Sequence, residues 1–252
     1  MKKNIGEIFL LVQIVTWWLL PIRANAQTVT SWQNSYREKM SIYRSHYAQF
    51  ERDKQLYGMN QTDDNLKNLI DNASKSFVAR QAVMIDYNYY LMSLLQQYSK
   101  NKDVNNQLNK RITSEINSLQ GLQPVFDNVQ AWNKADADFS DVMAVINETS
   151  YQAFAQIYWH EMQTIIDEFK TLYQNQNQRI LDEAINKVDR EQKMRVLDRT
   201  MRSLQSLQQK MEAAAEKLKT INGRENYVAF RTELNLILAE LETSLKLYAG
   251  LE

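Results

Sequence analysis

From Asn65 to Tyr98 the chain runs without Gly or Pro, and its apolar residues return at fixed intervals. Ile70, Phe77, Met84, Leu91 and Tyr98 stand seven apart. Leu66, Ala73, Tyr87 and Leu94 form a second row with the same spacing, interrupted once by Arg80. Rows three and four positions apart merge into one stripe on an α-helix, so the pattern predicts a long amphipathic helix around which the chain is organised. Upstream, Trp32, Tyr36, Met40, Tyr43, Tyr47, Phe50 and Tyr57 predict a first helix over about Ser31–Tyr57. Thr30 or Ser31 would cap it, and Gly58 would end it in the left-handed conformation. Thr62 then caps the second helix, with Asp63 and Asp64 in its electropositive first turn.

A short connection makes neighbouring helices antiparallel. Folding about Gly58–Gln61 sets Tyr36 against Met84, Tyr43 against Phe77, Tyr47 against Ala73 and Phe50 against Ile70. A turn at Asn101–Lys102, with Asp103 as cap, begins a third helix. It sets Leu95 against Leu108, Leu91 against Ile112, Tyr87 against Ile116 and Met84 against Leu119. The first and third helices are then expected to share the second end to end, meeting near Arg80–Tyr87. Gly121 ends the third helix, and Pro124 suits the first turn of the next, which carries Val125, Val129 and Trp132.

The polar run Asn133–Asp138 interrupts the apolar spacing and predicts a break, with Asp136 or Asp138 capping a new helix. That helix would bury Phe139, Val142, Met143, Ile146, Phe154, Ile157, Ile165, Phe169 and Leu172. Gln174–Gln178 reads as a turn or an exposed continuation. From Ile180 to Ile221 a stripe of Ile185, Val188, Met194, Leu197, Met201, Leu204, Met211, Ala215 and Leu218 resembles a coiled-coil seam. Asn222-Gly223 ends it, and a last helix over Glu225–Tyr248 would bury Tyr227, Phe230, Leu234, Leu238, Leu241 and Leu245. The expected fold is all-α: an elongated antiparallel helical bundle with coiled-coil-like hairpins. The organisation read here is residues 1–26 as a signal peptide, 27–135 as an N-terminal helical bundle and 136–252 as a C-terminal long-helix bundle.

Composition agrees with few, long helices: 252 residues hold only 5 Gly and 2 Pro. The absence of Cys removes disulfides, thiol catalysis, zinc ribbons and iron–sulfur clusters from consideration. Basic and acidic residues balance at 30 each, so no net field favours nucleic acid or an anionic membrane.

The N-terminus has the layout of an export signal. Lys2 and Lys3 precede a mostly apolar run from Ile8 to Ile22, and Ala24-Asn25-Ala26 offers small residues for cleavage before Gln27. The run is shorter than the about 20 residues a spanning helix needs. Cleavage after Ala26 would leave 27 basic and 29 acidic residues, a formal charge of −2, and no stretch for stable membrane insertion.

Candidate chemistry is sparse. The aromatic row of the first helix could form a carbohydrate or peptide platform, but its match to the second helix makes it core. Arg80 suits either an anion site or a structural role, stacking on Tyr36 and Tyr43 and bonding the end carbonyls at Leu119–Gly121. His160-Glu161 opens like a zinc-protease motif, yet position 164 is Thr. Asp136, Asp138 and Asp141 lack the glycine turn and distal Glu of a calcium loop. No catalytic, cofactor-binding or metal-ligating residue is assigned, and no cofactor is expected.

The segments ARQAVMIDYNYYLMSLL, ITSEINSL and YQAFAQIYW resemble a family of secreted helical proteins of candidate-phylum bacteria, with no assigned activity. The likeness spans about Glu51–Trp159. It implies an all-helical fold and export, and carries over no functional residue. The layout alone also resembles the pilus-tip-like helical components of conjugative secretion systems.

The expectation is a secreted, non-catalytic scaffold or adhesion protein of the periplasm or cell surface, binding a protein partner through helical faces, with self-association left open. A minor component of a conjugative secretion apparatus is the alternative. An enzyme or metal-binding protein would have to use His160 with carboxylates.

Overall fold

A computed structural model describes residues 27–123, 126–182 and 187–249. The expected export signal at 1–26, and the roles assigned to Pro124, Val125 and Ile185, lie outside the described residues. The chain forms six α-helices: α1 (Gln27–Met59), α2 (Asp63–Tyr98), α3 (Lys102–Gly121), α4 (Val129–Asp182), α5 (Lys187–Leu218) and α6 (Arg224–Ala249). Among the described residues there is no strand, and consecutive helices fold back on one another as antiparallel hairpins.

The α1–α2 hairpin keeps its expected register to within one helical turn. Trp32 stacks on Tyr89 with ring centroids 4.7 Å apart, and Tyr36 lies 6.0 Å from Tyr87. Two buried carboxylates pin the hairpin. Asp86 accepts from Ser35 Oγ at 2.5 Å and Lys39 Nζ at 2.6 Å, and Asp53 accepts from Asn72 Nδ2 at 2.6 Å and Gln49 Nε2 at 3.1 Å. A buried carboxylate is tolerated when such donors replace its lost hydration.

The helix ends differ from expectation. α1 already includes Thr30 and Ser31, so neither caps it, and it continues through Gly58 to Met59. Gly58 is not left-handed; Asn60 N–H closes the helix on Leu56 O at 2.8 Å. Thr62 does cap α2, accepting from Asn65 N–H. Asn101, not Asp103, caps α3 through a 3.2 Å bond from Val104 N–H. Asp103 instead sits in the first turn, where the helix dipole favours its charge.

With 33 and 36 residues, α1 and α2 are each about 50–54 Å long. α1 therefore accompanies α2 almost throughout. α3 meets the same second half of α2, where Asn105 Nδ2 donates to Leu95 O at 3.3 Å and Ser99 O at 2.9 Å. The two neighbours overlap along α2 rather than meeting end to end.

The largest departure is α4. Residues 133–138 do not break the helix, and 174–178 do not turn; α4 is one helix of 54 residues, about 80 Å. Trp132, Ala135, Phe139, Met143, Ile146 and Ser150 carry its stripe through the polar run. Ala135 bridges it: a small residue of high helix propensity, half-buried, keeps the spacing alive. Neither Asp136 nor Asp138 caps anything. The division at 135/136 thus falls inside α4, and one hydrophobic cluster runs from Tyr36 to Leu241 across it.

α4, rather than α2, is the element on which the others converge: it packs against α2, α3, α5 and α6. Along α2 it runs parallel, with Phe77 5.5 Å from Phe139 and Arg80 bonded to Asp136. At mid-length it is enclosed all round. Thr149, Ser150, Tyr151 and every residue from Ala153 to Ile157 are buried. Ala153 and Ala155 leave room for neighbouring helices to approach. Farther on, its core face rotates. Ile166 is buried where Ile165 was expected, and Leu172 is exposed.

The α5–α6 hairpin is stapled by Lys210–Glu240, Lys217–Glu233 and a Ser203–Ser244 hydroxyl bond. It docks on α4 through Trp159 Nε1 to Met211 O (3.3 Å), Gln152 Nε2 to Ile221 O (2.8 Å) and the Tyr151–Tyr227 ring pair. The expected seam is kept at Leu197, Leu204 and Met211. Val188 and Met201 are exposed, and Ala214 and Ile237 are buried more deeply than Ala215 and Leu238. No helix is long and apolar enough to cross a membrane, among the described residues.

Candidate functional site

Each residue singled out by sequence has a definite place. Tyr36 and Phe50 are buried, and Tyr43 and Tyr47 are half-buried against the core, so the aromatic row is packing rather than a platform. Burial, with the Glu51 carboxylate beside it, pushes the Tyr47 phenol up to about 12.

Arg80 is held between rings and a carboxylate. Its guanidinium lies 3.8 Å from the centroid of Phe139 and 5.5 Å from that of Phe77, and Nη2 donates to Asp136 Oδ1 at 2.7 Å. The stacking partners are phenylalanines, not the expected tyrosines. The end carbonyls of α3 are taken by Gln81, whose Nε2 donates to Leu119 O. A neighbour of the expected residue thus performs the capping, because Gln81 lies on the side of α2 that faces α3.

Asp136, Asp138 and Asp141 do not converge. Two helical residues advance by about 200°, which puts Asp136 and Asp138 on opposite faces. Asp136 pairs with Arg80, and Asp141 borders a separate groove. His160 is buried with its ring edge-on to Trp159, and its Nε2 has no hydrogen-bond partner among the described residues. Burial, and then the nearby Lys100 charge, lower its proton affinity below the ordinary histidine value. Thr164 accepts from Lys100 Nζ at 3.2 Å, where a zinc-protease motif would need a second histidine. Among the described residues no group of three or more His, Cys, Asp or Glu could hold a metal ion.

The most concentrated polar chemistry was not singled out from the sequence. Where α2, α3 and α4 meet, Asn88, Glu115, Thr149 and Ser150 are all buried. Thr149 Oγ1 donates to Glu115 Oε1 at 2.5 Å, while Glu115 Oε2 and both amide atoms of Asn88 have no hydrogen-bond partner among the described residues. Desolvation raises the Glu115 pKa, and Glu148 adds to this; the Thr149 bond and Arg111 oppose it. Arg111 is engaged by Glu148 at 3.1 Å and Gln152 at 2.8 Å. Beside this belt a groove of about 450 Å³ opens between α3 and α4, bordered by Arg111, Glu115, Ser118 and Asp141. The sequence carried one signal of it: Asn88 and Glu115 both stand where the antiparallel register places core.

A second groove, of about 470 Å³, lies on the outer side of the α1–α2 hairpin. Ile42, Val78, Ala79 and Ala82 form its apolar floor, and Lys39, His46 and Lys75 rim it. Small side chains on α2 opposite a longer one on α1 leave this depression.

No protein-family model matches the chain, and comparison with curated proteins and with solved structures found no match.

Proposed function

We propose that this is an exported, non-catalytic interaction protein, a scaffold or adhesion element working through helical faces in the periplasm or at the cell surface. The carrying observation is the outer α1–α2 groove: an apolar floor with a basic rim, left uncovered by the other described residues. An exposed apolar depression is a recognition feature rather than a stabilising one. The basic groups and His160 do not argue for turnover. Arg80, Arg111 and Lys39 each have a carboxylate partner, and His160 is buried without an acid or nucleophile bonded to it. A general acid or base needs a reachable proton and a positioned partner. The export layout of residues 1–26 and the family resemblance over Glu51–Trp159 support the location.

The test belongs in the native cell. Fractionation and mass measurement should find the chain in the envelope or medium, beginning at Gln27. A photo-crosslinker at Ile42 should give discrete protein adducts, whereas one at exposed Lys219 should not. An intact chain in the cytosol, or no adduct from Ile42, overturns the reading.

A further inference from the structure

The outer face of α6 is as unusual as the groove. Val228, Ala229, Thr232, Leu236, Ala239 and Thr243 lie on it, all exposed, and Leu236 is 68% accessible. Thr232 and Thr243 turn their hydroxyls back onto Val228 O and Ala239 O at 2.8 and 2.9 Å, so they present methyl groups outward. The result is an apolar stripe about 16 Å long from Val228 to Ala239. Glu225 and Glu242 flank it, and neither makes an ion pair among the described residues.

The α1–α2 groove is the counterpart in shape and in charge. Its α2 wall, from Ser74 to Ala82, is about 12 Å long, near the length of the stripe. No carboxylate lines it, and Lys75 at its rim makes no ion pair among the described residues. Stripe and groove cannot meet within one chain: the described part of α6 packs on α4 and α5, not on α1 or α2.

We propose that the two belong to one contact between copies: the α6 stripe of one molecule seats in the α1–α2 groove of the next. Leu236 enters between Ile42 and Val78 over the small Ala79 and Ala82. Glu242 faces Lys75, the rim lysine that no carboxylate among the described residues already holds, so opposite charges fix which surfaces meet. Because the two surfaces differ, the contact is head-to-tail. Repetition builds a ring if the rotation closes and an open string of molecules if it does not. The idea specifies the partner in the interaction reading above and rests on it.

The chain has no Cys, which permits a direct test with the purified protein. Val78→Cys and Leu236→Cys variants, both at exposed positions, are mixed and oxidised. Disulfide-linked pairs should form between the two variants and not from either alone, and the double variant should give a ladder of multimers. In sedimentation, Lys75→Glu should weaken self-association by about tenfold or more, and Glu242→Lys added to it should restore association. Homodimers from one variant alone would show like surfaces meeting each other and overturn the proposal. So would a wild-type protein that stays monomeric at high concentration and low salt. Neither result touches the cellular partner reading, which the crosslinks from Ile42 decide separately.

Discussion

Arg80 and Asp136 are 56 positions apart in sequence, yet Nη2 and Oδ1 lie 2.7 Å from each other across the α2–α4 contact. Both side chains keep some access to water, so screening limits the pair to about 0.5–1 kcal/mol; the Phe139 ring adds a cation–π term of similar size. Arg80→Met should destabilise the protein by about 1–2 kcal/mol, and Asp136→Asn by less. Chemical denaturation of both single variants and the double should return a coupling energy below about 1.5 kcal/mol. A loss of partner crosslinking with unchanged stability would mark Arg80 as a binding residue instead.

Glu115 sets a pH dependence. Its pKa is raised in the folded state, so the folded form holds its proton more tightly than the unfolded form. The associated stability is present below the unfolded value and is lost as pH rises through the folded one. Glu115→Gln retains an acceptor for Thr149 and has no charge to bury. Its stability relative to wild type should improve from pH 4 to pH 7, measured by urea denaturation at each pH. A difference that stays flat with pH would show that Glu115 is well solvated as an anion.

Phe77 is buried against Phe126 and Phe139, edge-on to both at 5.4 and 5.5 Å. Removing the ring as Phe77→Ala should cost about 3–5 kcal/mol. Phe77→Asp adds an unpaired buried charge to the cluster that α2 shares with α4 and should unfold the protein, as read by loss of helical circular dichroism. A Phe77→Asp variant melting like the parent would remove the basis for treating α2 as a core helix.

The sequence displayed most of the fold because heptad rows on facing helices constrain each other. Trp32–Tyr89 and Tyr36–Tyr87 lie within a turn of the expected register for that reason. It failed where one residue decides continuity. Ala135 is too small to count as an apolar position, yet it keeps α4 in phase. A 54-residue helix also drifts against a seven-residue repeat, because 3.6 residues per turn does not divide seven. That drift moves the core from Ile165 to Ile166. The Asn88–Glu115–Thr149 belt was legible only in part, for another reason: it joins three helices, and only α2 and α3 had a register to align. The outer groove and the α6 stripe are visible only once the other faces have been filled.

The enclosure of α4 at residues 149–157 has a thermodynamic consequence. Four helices share that segment as their common wall, so neither end of the molecule owns it. Pulling the α5–α6 hairpin away would strip Tyr151 of Tyr227 and Trp159 of Met211 while Glu115 of α3 still held Thr149. Releasing α2 and α3 would do the same in reverse. Around that segment there is then no half-way state with a sealed core; the small cluster of Ile180 and Leu197 at the far end of α4 lies outside it. Heat should therefore be absorbed in one sharp step rather than two, despite a length that would ordinarily let distant ends melt apart.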